Sequence, residues 1–212
     1  MIMKPEFYSM RRSLSIFLLF MTFSACGSLP RVIVLKDPLS AQEHLQLGAT
    51  YEREEQWSLA LSEYRAAIEK GADRALLEGY IGNIYFGMGD YGKSEAAYRR
   101  ALKSKPENPP ILNNLASVYV AEKRNLDEAE RLVRSAMAAD PTRLPYYLDT
   151  LGSIYRVRGD TDMAWVLFQE AEARMPAHTD AAAELSKNRR QAQALMEAEG
   201  DTQREGETGL AR

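Results

Sequence analysis

Apolar and polar residues follow a helical period from residue 41 onward. Apolar side chains recur three and four positions apart, which places them on one face of an α-helix, and polar or glycine-containing breaks separate the successive stretches. The first stretch follows Ser40, which together with Glu43 forms the Ser-x-x-Glu pattern of a capping box. The pattern therefore predicts an all-α chain whose first helix begins at Ala41.

The helical stretches come in pairs that repeat along the chain. A small residue, preceded by an aliphatic residue and followed three positions later by a tyrosine, recurs about every 34 residues, at Gly48, Gly82, Ala116 and Gly152. Each copy ends near a residue that stops helices, at Gly71, Pro106, Pro141 and Pro176. The sequence therefore predicts four helix-pair units, 41–74, 75–108, 109–143 and 145–178.

The two helices of each unit have complementary shapes. In the first helix, an aliphatic residue and a tyrosine four positions apart share a face, and the small residue lies beside them. In the second helix, an aromatic residue stands between two alanines, as Phe168 does between Ala164 and Ala171. We expect the aromatic ring to pack where the small residue leaves space. The third unit has Val133 instead of a ring and an additional residue near Asn125, which we expect to cap the following helix.

This pattern resembles the tetratricopeptide repeat, in which leucine-glycine, tyrosine, alanine, an aromatic residue, alanine and proline follow one another over a helix pair. The match covers residues 41–178. The resemblance implies a right-handed α-α superhelix of four helix pairs, whose first helices line a concave groove. One departure is the position at which the family often has tryptophan, which holds His44, Glu78, Leu112 and Leu148.

The resemblance also implies which residues line the groove and contact a partner. Counted from the leucine-glycine pair, they are Asn83, Phe86, Asn113, Asn114, Ser117, Tyr146, Asp149, Ser153 and Arg156. Asparagine can hold a peptide backbone through its donor and its acceptor, and the two aromatic rings can give apolar contact. The alternative is that these are solvated helix residues. The lysine and asparagine set with which some family members clamp a C-terminal carboxylate is not matched.

The chain continues beyond the fourth unit with one further helical stretch. Residues 179–198 carry apolar residues on one face and basic residues mostly on the other, as expected of the terminal cap of a repeat array. Residues 199–212 are polar and contain glycine, so we expect a disordered tail.

The N-terminus has the layout of an export signal. Basic residues precede the apolar run 14–23, whose roughly ten residues are too few for a membrane-spanning helix of about 20. The single cysteine of the chain, Cys26, comes shortly after this run. Translation could begin at Met1 or at Met10.

The residues before Cys26 resemble the lipobox of bacterial lipoproteins, in which an apolar residue and two small residues precede the lipidated cysteine. Here they are Phe23, Ser24 and Ala25, with phenylalanine in the place of the usual leucine. The resemblance implies a signal peptide over 1–25 and a cysteine that carries acyl chains. Several acyl chains anchor a protein firmly, whereas one alone binds a membrane only marginally. An ordinary secretory signal and an uncleaved anchor are the alternatives.

The segment that follows the cysteine predicts a tether and a location. Residues 26–40 contain two prolines and no helical period. In lipoproteins of Gram-negative bacteria, an aspartate after the cysteine favours the inner membrane. Because Gly27 and Ser28 stand there instead, we expect a lipid anchor at the periplasmic face of the outer membrane.

Composition and charge limit the classes of function. With 45% hydrophobic and 27% charged residues, the chain falls in the range of globular proteins. The formal net charge is −3, and removal of residues 1–25 would make the remainder more acidic. An acidic remainder argues against nucleic acid as the main ligand.

Few residues are suited to catalysis or metal binding. The chain has two histidines, His44 and His178, and both are distant in sequence from Cys26. Neither a metal-ligand cluster nor a cysteine–histidine pair can be formed, and no phosphate-binding or nucleophile-elbow motif is present. We therefore expect no enzyme, no metal, no cofactor and no small-molecule substrate. Any enzymatic activity would have to depend on one of the histidines.

Together, these features predict an adaptor or scaffold that holds another envelope protein, or a peptide segment of it, in the concave groove while Cys26 holds the chain at the membrane. The alternative is a structural assembly factor that associates with itself in a pilus, secretion or polysaccharide-export complex.

Overall fold

The fold is described by a computed structural model of the chain. The chain divides into two units, Met1–Pro38 and Leu39–Arg212. The structure describes residues 37–175 and a last helix over 180–210, and it describes the side chains of that helix over 182–198. All of the described helices belong to the second unit.

Several predicted features lie outside the described residues. They are the signal peptide 1–25, Cys26, most of the tether 26–40, Pro176 and His178. The predictions made for these residues stay predictions.

The described residues form four helix pairs and one further helix. The helices are α1 (Ala41–Arg53), α2 (Trp57–Glu69), α3 (Arg74–Gly87), α4 (Tyr91–Ser104), α5 (Pro109–Ala121), α6 (Leu126–Ala139), α7 (Leu144–Arg158), α8 (Thr161–Arg174) and α9 (Asp180–Leu210). A short 3-10 turn, Pro141–Arg143, connects the third pair to the fourth. Each helix packs on its partner within the pair, and each second helix also packs on the first helix of the next pair. The predicted all-α fold of four helix pairs and a C-terminal helix is confirmed.

Side chains at the helix starts explain where most helices begin. The Ser40 hydroxyl accepts from the Glu43 amide at 3.2 Å, and the Ser40 amide donates to the Glu43 carboxylate at 2.7 Å, so the predicted capping box is present. Aspartate or asparagine caps four later helices, at Asp73, Asp90, Asn108 and Asp160.

The prediction that the Asn125 side chain caps α6 is wrong. Asn125 does precede the helix, but its backbone is left-handed, with φ of 52°, and its side chain makes no capping hydrogen bond. The side chains of Ser40 and Asn108 reach the helix amides from an extended backbone, and Asn125 does not have that conformation. Instead, Asp127 and Glu128 place negative charge in the first turn of α6, where the helix dipole favours it.

The first helix of each pair ends with the same backbone conformation in all four units. The carbonyl oxygen of the repeat tyrosine accepts from the amide five residues later, at 2.8 to 3.0 Å, in the pairs Tyr51–Gln56, Tyr85–Asp90, Tyr119–Arg124 and Tyr155–Asp160. The residue before each donor has positive φ, and these residues are Glu55, Gly89, Lys123 and Gly159. This is a Schellman ending, which satisfies carbonyls at the end of each first helix.

The predicted packing of rings on small residues is confirmed in three units. A Cβ atom on Gly82 would lie 2.6 Å from Cδ1 of Tyr98, and Gly48 and Gly152 have the same relation to Tyr64 and Phe168. These rings are almost completely buried. Only a glycine lets the two helices approach so closely over a ring.

The last helix partly matches its prediction. Leu185 and Ala192 are buried in the core cluster with α7 and α8, and the Ser186 hydroxyl and the Arg189 guanidinium both contact the Glu172 carboxylate of α8. This is the packing expected of a terminal cap over 179–198. However, the helix continues to Leu210, whereas composition predicted a disordered tail over 199–212. The segment 199–210 contains no proline to stop the helix.

Candidate functional site

A cleft of about 380 Å³ lies across the first helices of units two, three and four. It is lined by Leu76, Gly79, Tyr80, Asn83, Asn108, Pro110, Ile111, Asn113, Asn114, Arg143, Tyr146 and Tyr147. Four of the predicted groove residues are therefore brought together: Asn83, Asn113, Asn114 and Tyr146. Leu76 and Tyr146, which line the cleft, are among the large apolar side chains of the described residues that remain more than 40% exposed. Such exposed apolar groups beside carboxamides are typical of a surface that contacts another chain.

Asn83 is held in one orientation by two donors. Its Oδ1 accepts from the Tyr98 hydroxyl at 2.7 Å and from Nδ2 of Asn114 at 2.9 Å. Burial raises the pKa of Tyr98 to about 12, so its hydroxyl keeps its proton and remains a donor at neutral pH. The acceptor of Asn83 is therefore used internally, while its amide hydrogens remain for a ligand.

Asn113 presents the opposite situation. Its Oδ1 is buried and receives no hydrogen bond from the described residues. A buried carbonyl oxygen without a donor costs about 1–3 kcal/mol, and an atom buried this completely does not contact a ligand unless the side chain turns into the cleft. The backbone carbonyl of the same residue accepts from the Ser117 hydroxyl at 3.1 Å.

The structure does not bring Ser117 and Phe86 into this cleft. The hydroxyl of Ser117 is directed to its own helix, as that bond to Asn113 indicates. The ring of Phe86 is half-buried against the core and packs on Tyr91, with ring centroids 5.4 Å apart. Their predicted contact with a partner stays a prediction.

The predicted groove residues of the fourth unit, apart from Tyr146, lie outside the cleft, and α9 contacts one of them. Nδ2 of Asn188 donates to the Asp149 carboxylate at 3.0 Å, and burial raises the pKa of Asp149. Ser153 and Arg156 are half-buried and line none of the cleft, and Nε of Arg156 is buried without an acceptor among the described residues. The sequence did not predict that the terminal helix would contact a groove position.

Sequence reasoning missed Leu76, Tyr80 and Arg143. Leu76 and Tyr80 stand at the same repeat positions as Tyr146 and Asn114, so the count from the leucine-glycine pair could have found them. That count does not include the connection between units. Arg143 lies in the 3-10 turn Pro141–Arg143, which ends the third unit. The spacing from Ala116 to Gly152 is longer than that between the other units, and only part of the excess falls near Asn125. This excess was the signal for a longer connection.

His44, the histidine within the described residues, does not line the cleft. His44 is buried at the repeat position that often holds tryptophan, and its Nδ1 lies 2.6 Å from Oε2 of Glu63. Glu78, Leu112 and Leu148 are buried at the equivalent positions, so this position belongs to the core in every unit.

The described part of the chain contains neither a candidate metal site nor a candidate membrane span. Within it, no group of three or more histidine, cysteine, aspartate or glutamate side chains is arranged to hold a metal ion. Among the helices α1 to α9, none is both long enough and apolar enough to cross a membrane.

Proteins with similar sequences support the repeat assignment. The tetratricopeptide repeat family model matches residues 85–154. Over 83 residues, 39% of this chain, the sequence is 32% identical to a TPR repeat-containing thioredoxin of Arabidopsis thaliana. Over 130 residues, 58% of this chain, it is 26% identical to stress-induced-phosphoprotein 1 of Caenorhabditis elegans. The chain spans 12% and 41% of the lengths of these two relatives.

Solved structures support the same fold. A tetratricopeptide repeat protein from Parabacteroides merdae aligns with a TM-score of 0.65 over 83% of this chain and 66% of its own, at 18% identity. A thermophilic TPR protein of Thermus thermophilus aligns with a TM-score of 0.59 over 74% of this chain and 88% of its own, at 20% identity. The predicted superhelix of tetratricopeptide helix pairs is confirmed.

Proposed function

We propose that this protein is a protein–protein interaction adaptor that holds an extended segment of another protein in the cleft between α3, α5 and α7. The observation that carries this proposal is the combination of exposed Leu76 and Tyr146 with several carboxamides in one cleft. Apolar side chains supply binding energy when they are covered, and carboxamides pair with a peptide backbone. None of these groups requires chemistry at the ligand, so binding alone accounts for them.

The shape of the cleft also favours a segment rather than a small molecule. Its walls come from three successive units, so a ligand that filled it would run across the repeat stack. An extended chain is long enough to contact all three walls and offers regularly spaced donors and acceptors.

A probe at Tyr146 tests the adaptor proposal. A photo-crosslinking residue at this position, which is 45% exposed, is expected to capture a partner in cells. The matched control is a probe at Val166 on α8, which is 48% exposed but lies outside the cleft. We expect the Tyr146 probe to give a crosslinked product that the Val166 probe does not give, identified by mass spectrometry.

The outcomes of this experiment separate the candidate functions. Equal capture of the same proteins from both probes would contradict a role for the cleft. Capture of a second copy of this chain at Tyr146 would favour the self-associating assembly factor instead, and a size measurement at several protein concentrations would then show a stable oligomer.

We propose further that the adaptor is a lipoprotein of the bacterial cell envelope, anchored through Cys26 to the outer membrane, and that its partner is another envelope protein. The support is in the sequence: a basic stretch, a short apolar run and two small residues precede the single cysteine. A tether followed by a binding surface would fix the location of a partner without any catalytic group.

The Cys26→Ser variant tests the anchor. We expect wild-type protein in the membrane fraction after cell breakage, and the variant either in the soluble fraction or unprocessed at the size of the full precursor. Metabolic labelling with a fatty acid should mark the wild type alone. A processed variant that still sediments with membranes as the wild type does would contradict the lipoprotein proposal, because lipidation requires the cysteine thiol.

A further inference from the structure

We infer that the segment bound in the cleft carries an acidic side chain, which Arg143 binds, while a backbone carbonyl of the same segment accepts from Nδ2 of Asn83. This inference rests on the adaptor function proposed above and adds the chemistry of the partner. It depends on the charge of the cleft and on which of its polar atoms already have partners within the described structure.

Arg143 brings a positive charge to the edge of the cleft. It is the charged residue among those that line the cleft, and its side chain is 58% exposed. Its Nε lies 3.9 Å from Oδ2 of Asp140, which is beyond hydrogen-bond distance. The guanidinium therefore keeps most of its five donors for another carboxylate, which it can bind in a bidentate manner.

The polar atoms of the carboxamides specify the rest of the ligand. Oδ1 of Asn83 is occupied by Tyr98 and Asn114, so Asn83 offers its N–H donors to a ligand. Nδ2 of Asn114 already donates to Asn83, so Asn114 offers mainly its Oδ1 acceptor. A chain that has both carbonyl oxygens and N–H groups fits this arrangement, and a peptide backbone has both.

The position of the positive charge decides between two sources of negative charge. A C-terminal carboxylate seated deep in the cleft would meet no cation among the lining residues there, because the charged one, Arg143, has a side chain that is 58% exposed. An acidic side chain can reach Arg143 at the exposed edge while its own backbone lies deeper. We therefore assign the charge to an aspartate or glutamate inside the segment, not to its end.

Peptide selection on the purified full chain tests this inference. Random peptides are displayed within a loop of a carrier protein, so that no peptide end is free, and are selected on the wild type, on Arg143→Glu and on Arg131→Glu. Arg131 lies exposed on α6, outside the cleft, so it is a matched charge reversal. Selected sequences are then made as peptides with amidated C-termini, and their affinities are measured.

The expected result has three parts. Peptides selected on the wild type are enriched in aspartate or glutamate, and they lose affinity when Tyr146 is replaced by alanine. The Arg143→Glu variant binds these peptides roughly tenfold or more weakly, because one charge-assisted contact is lost. Peptides selected on the Arg143→Glu variant are enriched in lysine and arginine. The Arg131→Glu variant binds the peptides with the affinity of the wild type. Arg143→Gln, which keeps the turn polar, should give an intermediate loss and serves if the reversed variant does not fold.

The other outcomes separate this inference from the adaptor proposal. Peptides that depend on Tyr146 but show no acidic enrichment, or keep their affinity for Arg143→Glu, would overturn the inference and leave the adaptor proposal standing. Acidic peptides that bind only when their C-terminus is free would overturn it in the same way. If no selected peptide depends on Tyr146, the cleft is not a peptide site and the adaptor proposal fails as well.

Discussion

Replacing Phe168 by alanine is expected to lower the free energy of unfolding by about 3–5 kcal/mol. The ring is completely buried and packs against Gly152 of the facing helix. Alanine would remove the apolar area of the ring and leave a cavity, which the glycine cannot fill because it has no side chain. Chemical denaturation of the purified protein, followed by circular dichroism, measures the loss.

The control lies on the same helix. Val166→Ala removes an apolar side chain that is 48% exposed, so its effect should stay within about 0.5 kcal/mol. Both substitutions leave alanine, a good helix former, in α8, so helix propensity cannot produce the difference between them. Equal losses for the two variants would mean that the ring of Phe168 does not hold the fourth helix pair together.

Adding a methyl group at Gly82 is expected to have the second-largest effect on stability. Gly82→Ala should destabilise the protein by about 1–3 kcal/mol, although alanine favours helices more than glycine does. The added Cβ would lie 2.6 Å from Cδ1 of Tyr98, which is closer than two non-bonded carbon atoms can approach. The ring is buried and its hydroxyl is bound to Asn83, so it cannot move aside freely. Chemical denaturation of the purified variant measures the change in its free energy of unfolding.

Gly92→Ala provides the matched control for Gly82→Ala. Gly92 is exposed near the start of α4, and a Cβ there would contact nothing within 4 Å. Alanine should therefore stabilise the protein by up to about 1 kcal/mol, through its helix propensity and the smaller entropy of its unfolded chain. If both substitutions stabilised the protein, close approach at Gly82 would have no role in the fold.

The third unit shows how the steric conflict at Gly82 could be relieved. There, the position of the glycine holds Ala116 and the position of the ring holds Val133, and both are completely buried. A double variant, Gly82→Ala with Tyr98→Val, copies this combination into the second unit. We expect its loss of stability to be smaller than the sum of the two single losses by about 0.5–3 kcal/mol, the range found for residues in contact. Additive effects would contradict the contact.

The stability of the second unit is linked to the cleft through Tyr98. Its ring packs on Gly82, and its hydroxyl fixes the carboxamide of Asn83 in the cleft wall. A shift of this ring would alter both features together. The peptide affinity of a destabilised variant should therefore be compared only after its folded fraction has been measured.

Local features of the sequence were sufficient to predict the helices and their pairing. The period of apolar residues indicated each helix, and Ser40 with Glu43 indicated the first helix start, because a capping box needs only neighbours along the chain. The fit of Phe168 on Gly152 was also predictable, because each unit contains both halves of the contact. The role of Asn125 was not predictable, because its backbone conformation depends on the whole turn, which its residue type does not reveal.

Tertiary structure decided what the cleft contains. The sequence by itself determined the repeats, the four helix pairs and the buried stripes, because the residues involved are separated by at most one unit. Arg143 came into the cleft from a turn between units, and Asn188 reached Asp149 from the terminal helix. Which amide oxygen was occupied also depended on Tyr98, Asn83 and Asn114 meeting across two units. Such contacts join residues far apart in the chain, and their geometry follows from how the helix pairs stack.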